Sequence, residues 1–451
     1  MVAEQIFRMW HGMRQAGSLG PKERFTIAEF GGGNGSLAES ILDHIGRQSK
    51  DNPDQRWREF ASQAVYVCYD RSPALSKAQR DRNARFGAQF EAHQGDATDL
   101  TAVIAPGSLK GSILSNELLD NFSVHKVILS PDGSAEAAFV ATSLSRSDWN
   151  ELREYLSPAA RVAIENDAQA IQDRLFQGRE EATVYLSRAA LVMLLEGLAV
   201  RPDYPSRVGS IQFHEVYVPA RLVPELEEHF RQYSRSYAHV LAKSTTSVVA
   251  YINLGEAKFI RGAASALKAG YVITVDYGSD WSGITAMGPY GKLRTYGPGS
   301  QQDKPDPYRR PGLNDITTDV NFSYLRAEGQ SAGLRTLYFG RMRALQSGTS
   351  ISLDPVQTER QLTDREKSEF LSWVARFRTR RSFKVLVQQK QKTDSSYAYP
   401  DGNPEPLESN QNDLSQVQRE RATEIERRLR GDSIKSKSMT SPLRVSGSSS
   451  R

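Results

Sequence analysis

The feature that most constrains this chain is an apolar run that stops on glycines. Phe25-Thr26-Ile27-Ala28-Glu29-Phe30 leads directly into Gly31-Gly32-Gly33-Asn34-Gly35, and Ser36 to Ile45 follows with helical spacing. A short run rich in β-branched and aromatic residues reads as a buried strand, and the glycines allow a turn through φ values that other residues avoid. A strand, glycine turn and helix in this order present free main-chain N–H groups at a helix start, where the polar parts of a nucleotide cofactor can dock. Gly33-x-Gly35-x-x-Ala38 also satisfies the relaxed dinucleotide fingerprint, so the loop alone leaves the cofactor open.

The rhythm continues. Val65–Asp70 reads as a second strand, Pro73–Phe86 as a helix, Gln89–His93 as a third strand ending at Gly95-Asp96, and Ser112–Ser115 as a fourth. Alternating strands and helices predict an α/β fold, a Rossmann-like parallel sheet with helices on both faces. Ala3–Met13 fits a short amphipathic helix, and the polar stretch Gly46–Ser62 reads as a surface insertion. From about 130 to 259 the alternation is lost; Glu181–Leu198 and Pro224–Tyr237 look helical, so a mostly helical insertion or lid is expected there. The rhythm resumes with a helix over Phe259–Lys268, Gly270 as its stop, and a strand over Tyr271–Asp276; Ser382–Gln389 closes the ordered part. The expected organisation is a catalytic domain over residues 1–390 and a low-complexity, disordered tail over 391–451, interrupted by one solvated helix, Leu414–Leu429.

Bulk properties mainly exclude. At 451 residues the chain exceeds the usual size of a single core, and its 39% hydrophobic and 25% charged residues are ordinary for a globular protein. The net charge of +5 is spread among acids, so a nucleic-acid partner is not expected. The basic run Arg376, Arg378, Arg380, Arg381 and Lys384 reads as a solvated helix end. Cys68 is the single cysteine, which excludes an internal disulfide and a cysteine-based zinc site; it reads as a small buried strand residue, and no metal is expected. No apolar stretch is long enough to span a bilayer, and Met1–Arg24 has neither a secretory nor a transit pattern. The expected location is therefore cytoplasmic, or mitochondrial for a longer native N-terminus.

Two features favour S-adenosylmethionine over a dinucleotide. Glu29 precedes the turn, where a pyrophosphate would be repelled but a sulfonium ligand with a free amino group is tolerated. Acids then follow in order: Asp70 ends strand two, Asp96 ends strand three, and Asn116-Glu117 ends strand four. Ligands of open parallel sheets sit outside the carboxyl ends of strands. The expected cofactor residues are thus Glu29, Gly31, Gly33, Gly35, Asp70, Asp96 and Asn116, with Asp70 on ribose hydroxyls and Asp96 on an adenine amino group. The plain alternative for each acid singly is an ordinary loop carboxylate.

Glu29-x-Gly31-x-Gly33-x-Gly35, Ser115-Asn116-Glu117-Leu118-Leu119-Asp120, Asp276-Tyr277-Gly278, Leu293-Arg294-x-Tyr296, Asp315-Ile316-Thr317 and Phe383-Lys384-Val385-Leu386-Val387 occur in that order. Over roughly 25–390 the chain resembles the MidA-like methyltransferases, whose mitochondrial members assist assembly of respiratory complex I. The resemblance implies a class I methyltransferase fold and, for the mitochondrial branch, arginine methylation of a complex I subunit. Phe30 and Gly32 depart from the family's usual small aliphatic and Pro. Asp70 stands for a common Glu, and Asn321 for a usual Asp. Met1–Arg24 supplies only the end of the segment that the family carries upstream of the loop. A guanidinium acceptor calls for carboxylates that hold its planar fork. The catalytic candidates are accordingly Glu117, Asp120 and Asp276, with Tyr277 stacking on or orienting the acceptor; Arg294, Tyr296, Asp315 and Thr317 are candidates to shape its pocket. The plain alternative for Asp120 and Asp276 is capping and turn formation after strands. The expected activity is methylation of arginine on a protein substrate. The competing readings are a small-molecule methyltransferase, a cofactor-binding assembly or scaffold protein, and a NAD-dependent oxidoreductase. A homo-oligomer is left open.

Overall fold

A computed structural model describes residues 2–176, 182–200, 203, 208–281, 293–297, 306–308, 312–341, 383–390 and 414–431. They fall into two compact units. The first unit opens with α1 (Val2–Gln15), β1 (Phe25–Phe30), α2 (Ser36–Asp51), α3 (Arg56–Gln63), β2 (Ala64–Asp70), α4 (Pro73–Asn83), β3 (Phe90–Gln94) and β4 (Leu109–Asn116). The second unit follows with β5 (His125–Leu129), β6 (Ala135–Ser145), α5 (Arg146–Leu152), α6 (Pro158–Phe176), β7 (Thr183–Leu186), α7 (Arg188–Ala199), β8 (Gln212–Pro219), α8 (Pro224–Ala242) and β9 (Val248–Ile252). The chain returns to the first unit through α9 (Leu254–Ala266) and β10 (Leu267–Ser279). The hairpin β11 (Arg294–Tyr296) and β12 (Asp315–Thr317) belongs to the second unit. The first unit ends with β13 (Val320–Asn321), α10 (Phe322–Ser331), β14 (Leu334–Arg341) and β15 (Phe383–Lys390), and α11 (Gln416–Leu429) completes the second.

The first unit is organised by one sheet in the order β14-β15-β10-β4-β1-β2-β3, with β13 paired to β10. Strands β3, β2, β1, β4 and β10 run parallel, and β15 lies antiparallel between β10 and β14. The chain moves outward from β1 to β3 and then returns to the other side of β1 with β4. The strand order thus reverses beside β1, the switch point at which open α/β sheets bind ligands. The register sets Phe30 against Tyr69 and Ser115, and Asn116 against Val275, so the carboxyl ends of four strands share one edge. Apolar side chains cover both faces. Trp10, Phe25, Phe60 and Tyr271 are buried on one, and Phe30, Ile113, Phe259 and Phe322 on the other.

Several expectations give way here. Gly46–Ser62 is not a surface insertion: α2 continues to Asp51, and α3 buries Trp57 and Phe60 against Phe7. Gly270 does not stop a helix. It lies inside β10, where a Cβ would sit 1.9 Å from the Gly111 carbonyl oxygen, so glycine is required by close backbone approach. Lys384 lies within β15 rather than at a helix end; Arg376, Arg378, Arg380 and Arg381 lie outside the described residues. Cys68 is a buried strand residue, as read.

The second unit is helix-rich, but its helices accompany an antiparallel sheet, β7-β6-β5-β9 with β8 paired to β6, that the broken rhythm did not disclose. Its core gathers Leu144, Trp149, Ile164, Leu194 and Leu198. Within the C-terminal segment, residues 391–413 and 432–451 lie outside the described residues, whereas α11 packs on α8 instead of standing solvated. Leu414, Ile425 and Leu429 are buried, and Arg421, on the same helical stripe, donates to the carbonyls of Ala242, Pro131 and Ser244 at 3.4, 3.1 and 2.7 Å. A capping box at Ser415 and Gln418 starts the helix. Polar anchoring of this kind leaves little trace in an apolar pattern.

Candidate active site

The glycine loop follows β1 at the switch point. Gly31, Gly33 and Gly35 adopt φ of 71°, 53° and 81°, the left-handed region. The outer two also pack tightly. A Cβ at Gly31 would lie 2.6 Å from Leu118 Cδ1, and one at Gly35 would lie 2.6 Å from Asn83 Nδ2. At Gly33 a Cβ meets nothing within 4 Å. The middle glycine therefore opens onto a space that a side chain would fill, and Gly35 is the N-cap of α2, whose dipole and free N–H groups favour polar ligand atoms.

Glu29 lies beneath this loop rather than in its open face. It is 2% exposed, Tyr66 Oη donates to its Oε2 at 2.9 Å, and Cys68 Sγ approaches the same oxygen at 3.6 Å. Burial pushes its pKa up to about 7, against the pull of the Tyr66 and Cys68 hydrogen bonds. A Cβ at Gly32 would come within 2.8 Å of Glu29 Oε2, so the carboxyl supports the turn from below. Asp70, at the end of β2, is buried, and its Oδ1 accepts the Ser72 N–H at 2.9 Å just before α4. Asp96, beyond β3, accepts the Thr98 N–H and hydroxyl on Oδ1, both at 2.8 Å. The Thr98 N–H is the main reason its carboxyl is held below the usual carboxylate range. Loop, Asp70 and Asp96 thus stand in strand order along one sheet edge.

The acids on the other side of β1 are assembled differently. Asn116 ends β4, and Glu117, whose N–H donates to Val275 O at 2.9 Å, has φ 48°. Among the described residues it is the one non-glycine with positive φ, and the side chain is exposed. Strain of this kind persists only where surrounding structure imposes it. Leu118, next in the chain, is the residue that closes on Gly31, which places Glu117 directly beside the cofactor loop. Asp276 is fully buried (0% exposed), and three main-chain N–H groups engage its carboxyl. Tyr277 donates to Oδ1 at 2.8 Å, and Leu119 and Asp120 donate to Oδ2 at 3.0 and 3.3 Å. Burial first and the neighbouring Asp120 second raise its pKa well above the ordinary carboxylate value, opposed by those N–H groups. Asp120 is also buried, with Asn121 Nδ2 donating to its Oδ1 at 2.8 Å.

The structure therefore brings Glu117, Asp120 and Asp276 into one loop-and-strand cluster. Asp276 has the turn-holding geometry of the plain alternative. It does not bring Tyr277 there: successive strand residues face opposite ways, and Tyr277 packs on Phe383 with ring centroids 3.9 Å apart. Arg294, Tyr296, Asp315 and Thr317 lie in the second unit's hairpin, with Arg294 Nε donating to Thr317 Oγ1 at 3.3 Å. Sequence reasoning missed Asn253 and Glu256. Asn253 Nδ2 donates to Leu119 O at 2.7 Å, and Glu256 accepts the Asn321 N–H on Oε1 at 3.2 Å while its buried Oε2 has no hydrogen-bond partner. Burial chiefly raises the Glu256 pKa, with the Asp276 charge acting in the same direction. The signal for Asn253 was available, since Asn followed three residues later by Glu marks a helix start. Gln79 and Asn83, on α4, carry no comparable signal in the sequence. Among the described residues no group of acids, His and Cys could hold a metal ion, and no helix is long and apolar enough to cross a membrane.

A parallel sheet with one reversed strand, and a glycine loop and ordered acids at its switch point, define a class I methyltransferase. Residues 1–340 match the family described as "Putative S-adenosyl-L-methionine-dependent methyltransferase"; the chain belongs to that family, and its cofactor is S-adenosylmethionine. A crystal structure of an uncharacterized protein from Burkholderia thailandensis superposes with a TM-score of 0.51 at 17% identity, covering 89% of this chain and 82% of that one. Another from the same organism, bound to S-adenosyl-homocysteine, gives 0.48 at 16% identity over 87% and 77%. These likenesses concern the fold alone. No curated protein matches the sequence.

Proposed function

We propose that this methyltransferase acts on arginine of a protein substrate. The observation that carries the reading is Glu117: an exposed carboxylate in strained backbone, beside the cofactor loop and backed by buried Asp120 and Asp276. The resemblance to the MidA-like methyltransferases supports it, and so does the chemistry of the acceptor. The open space over Gly33 would take S-adenosylmethionine, which when bound would supply a methyl group on a positively charged sulfonium. A guanidinium brought near that charge needs an anion to hold it, and the exposed Glu117 carboxylate could accept two of its N–H donors. Asp120 adds negative charge behind it. Asp276 holds the main chain of Leu119 and Asp120, so it fixes where both acids stand. On the cofactor side, Gly31, Gly33 and Gly35 shape the cradle, Asp70 would accept from ribose hydroxyls and Asp96 from the adenine amino group, Asn116 ends β4 on the other side of β1, and Glu29 supports the loop. In-line methyl transfer depends chiefly on such alignment.

The test is incubation of the full chain with methyl-labelled S-adenosylmethionine and a lysate, followed by acid hydrolysis of the protein fraction. Label recovered as methylarginine is the expected result. Label confined to small molecules overturns the arginine reading and leaves a methyltransferase with another acceptor.

A further inference from the structure

Two side chains on α4 grip the cofactor loop. Gln79 and Asn83 lie one turn apart, and both are fully buried. Gln79 Nε2 donates to the Gly33 carbonyl at 2.9 Å, and Asn83 Nδ2 donates to the Gly35 carbonyl at 3.1 Å and to its own helix at Gln79 O, also 3.1 Å. Both receiving residues have left-handed φ. The orientation of each amide follows from chemistry, since a flipped amide would set oxygen against the loop carbonyl. The consequence is that Gln79 Oε1 and Asn83 Oδ1 are buried without a hydrogen-bond partner. A buried acceptor left unpaired is unfavourable, whereas an apolar side chain of equal volume would fill the same space without that penalty. Packing alone therefore does not account for two amides side by side.

We infer that Gln79 and Asn83 are positioning residues for the cofactor: by fixing the carbonyls of Gly33 and Gly35 on the α4 side, they hold the loop in its ligand-ready shape before ligand arrives. A loop rich in glycine otherwise spreads over many conformations. The apparent dissociation constant then rises in inverse proportion to the fraction of protein in the competent shape. Two anchors one helical turn apart raise that fraction, and the space above Gly33 stays open. This inference concerns the cofactor alone and stands whichever acceptor is methylated.

The test uses the full chain with Gln79→Met, Asn83→Leu and Gln79→Glu. Calorimetry with S-adenosylhomocysteine gives the affinity, thermal unfolding the ligand-free stability, and amide hydrogen exchange the order of residues 33–36. Gln79→Met and Asn83→Leu should each weaken binding about tenfold or more, with faster exchange in the loop and little change in ligand-free melting. Gln79→Glu adds a readout that a packing role would not move. An ionised carboxyl cannot donate to the Gly33 carbonyl but a protonated one can, so its affinity relative to wild type should recover as pH falls, whereas that of Gln79→Met should not. Binding within about twofold of wild type in Gln79→Met and Asn83→Leu, whether or not melting falls, would overturn the inference. Should those two fail to fold, a relative affinity of Gln79→Glu that does not change with pH overturns it equally.

Discussion

The two sides of the switch point are made of different materials. After β1 the chain uses glycines and main-chain groups, leaves the space over Gly33 open, and supports the turn from beneath with Glu29. After β4 and β10 it uses carboxyls: exposed Glu117, buried Asp120, and buried Asp276, which main-chain N–H groups tie in place. The difference suits what each side would hold under the proposed function. A cofactor of fixed shape is met by a surface from which side chains are absent. A guanidinium acceptor, as proposed, would call for charge, and charge held beside a sulfonium needs a rigid frame. Asp276 builds that frame by spanning 157 positions of sequence to reach Leu119.

The comparison breaks most sharply at Gly33. A valine there touches no protein atom within 4 Å of its Cβ, so the unit should still fold, at a strain of about 1–3 kcal/mol for the left-handed backbone. The cradle, however, would be filled. Binding of S-adenosylhomocysteine should weaken by more than about 100-fold, roughly 3 kcal/mol, by calorimetry. Retained affinity in Gly33→Val would place the ligand elsewhere. The acid side should respond in turnover instead. Asp276→Asn keeps the shape, but its amide cannot accept at both ends, so either Tyr277 or the Leu119–Asp120 pair loses its acceptor. The loop carrying Glu117 and Asp120 would shift, and methyl transfer should fall roughly 10²-fold, the scale of a small misplacement. S-adenosylhomocysteine affinity should change less than about threefold, under 1 kcal/mol. Equal losses in both quantities would dissolve the distinction between the two sides.

The same distinction decides what could be read from the sequence. The cofactor side was legible because its determinants are local. Five consecutive loop residues follow a strand, and each acid closes a strand in order, so spacing alone places them on one edge. The parallel half of the sheet was legible for the same reason. The acid side was visible only as residue types, since nothing between Leu119 and Asp276 states that one carboxyl receives the other's N–H. Tyr277, a candidate to stack on or orient the acceptor, adjoins Asp276 in sequence, yet strand alternation turns it to Phe383. Strands β5–β9 were hidden behind mixed burial, as in β8, where six of eight residues are only partly buried and no alternation shows. Gln79 and Asn83 looked like any polar helix positions, because burial of an amide carries no pattern until the loop it serves is in place.

A smaller effect sharpens the cofactor side. Asp70 is buried at the end of β2 with Oδ1 on the Ser72 N–H, and the proposal gives its remaining acceptor positions to the ribose hydroxyls. Asp70→Ala should weaken S-adenosylhomocysteine about tenfold, ~1.4 kcal/mol, near the lower end for hydrogen bonds to a charged group. Unchanged affinity would remove β2 from the cofactor edge.

The smallest effect on binding is expected at Glu29, which supports the loop from beneath, and its signature is in stability. Its folded pKa of about 7 exceeds the ordinary 4.5 because burial disfavours the charged form. A carboxyl raised in this way binds its proton more tightly when folded, so its stabilising contribution is complete below pH 4.5. That contribution declines as pH rises toward 7 and is gone above it, a loss of up to about 3 kcal/mol. Asp276 and Glu256, also raised, slope in the same direction, but they are present in wild type and variant alike and cancel in the difference. Glu29→Gln carries the neutral shape at every pH, and its carbonyl oxygen can still accept from Tyr66 Oη. Urea unfolding at pH 5 and pH 8 should therefore show wild type losing more stability than Glu29→Gln over that interval, while both bind S-adenosylhomocysteine within about threefold, under 1 kcal/mol, of each other at pH 8. Parallel stability profiles would mean that Glu29 is charged in the folded protein. A collapse of affinity in Glu29→Gln would instead turn its charge toward the cofactor and make the β1 side depend on a carboxylate, as the acid side does.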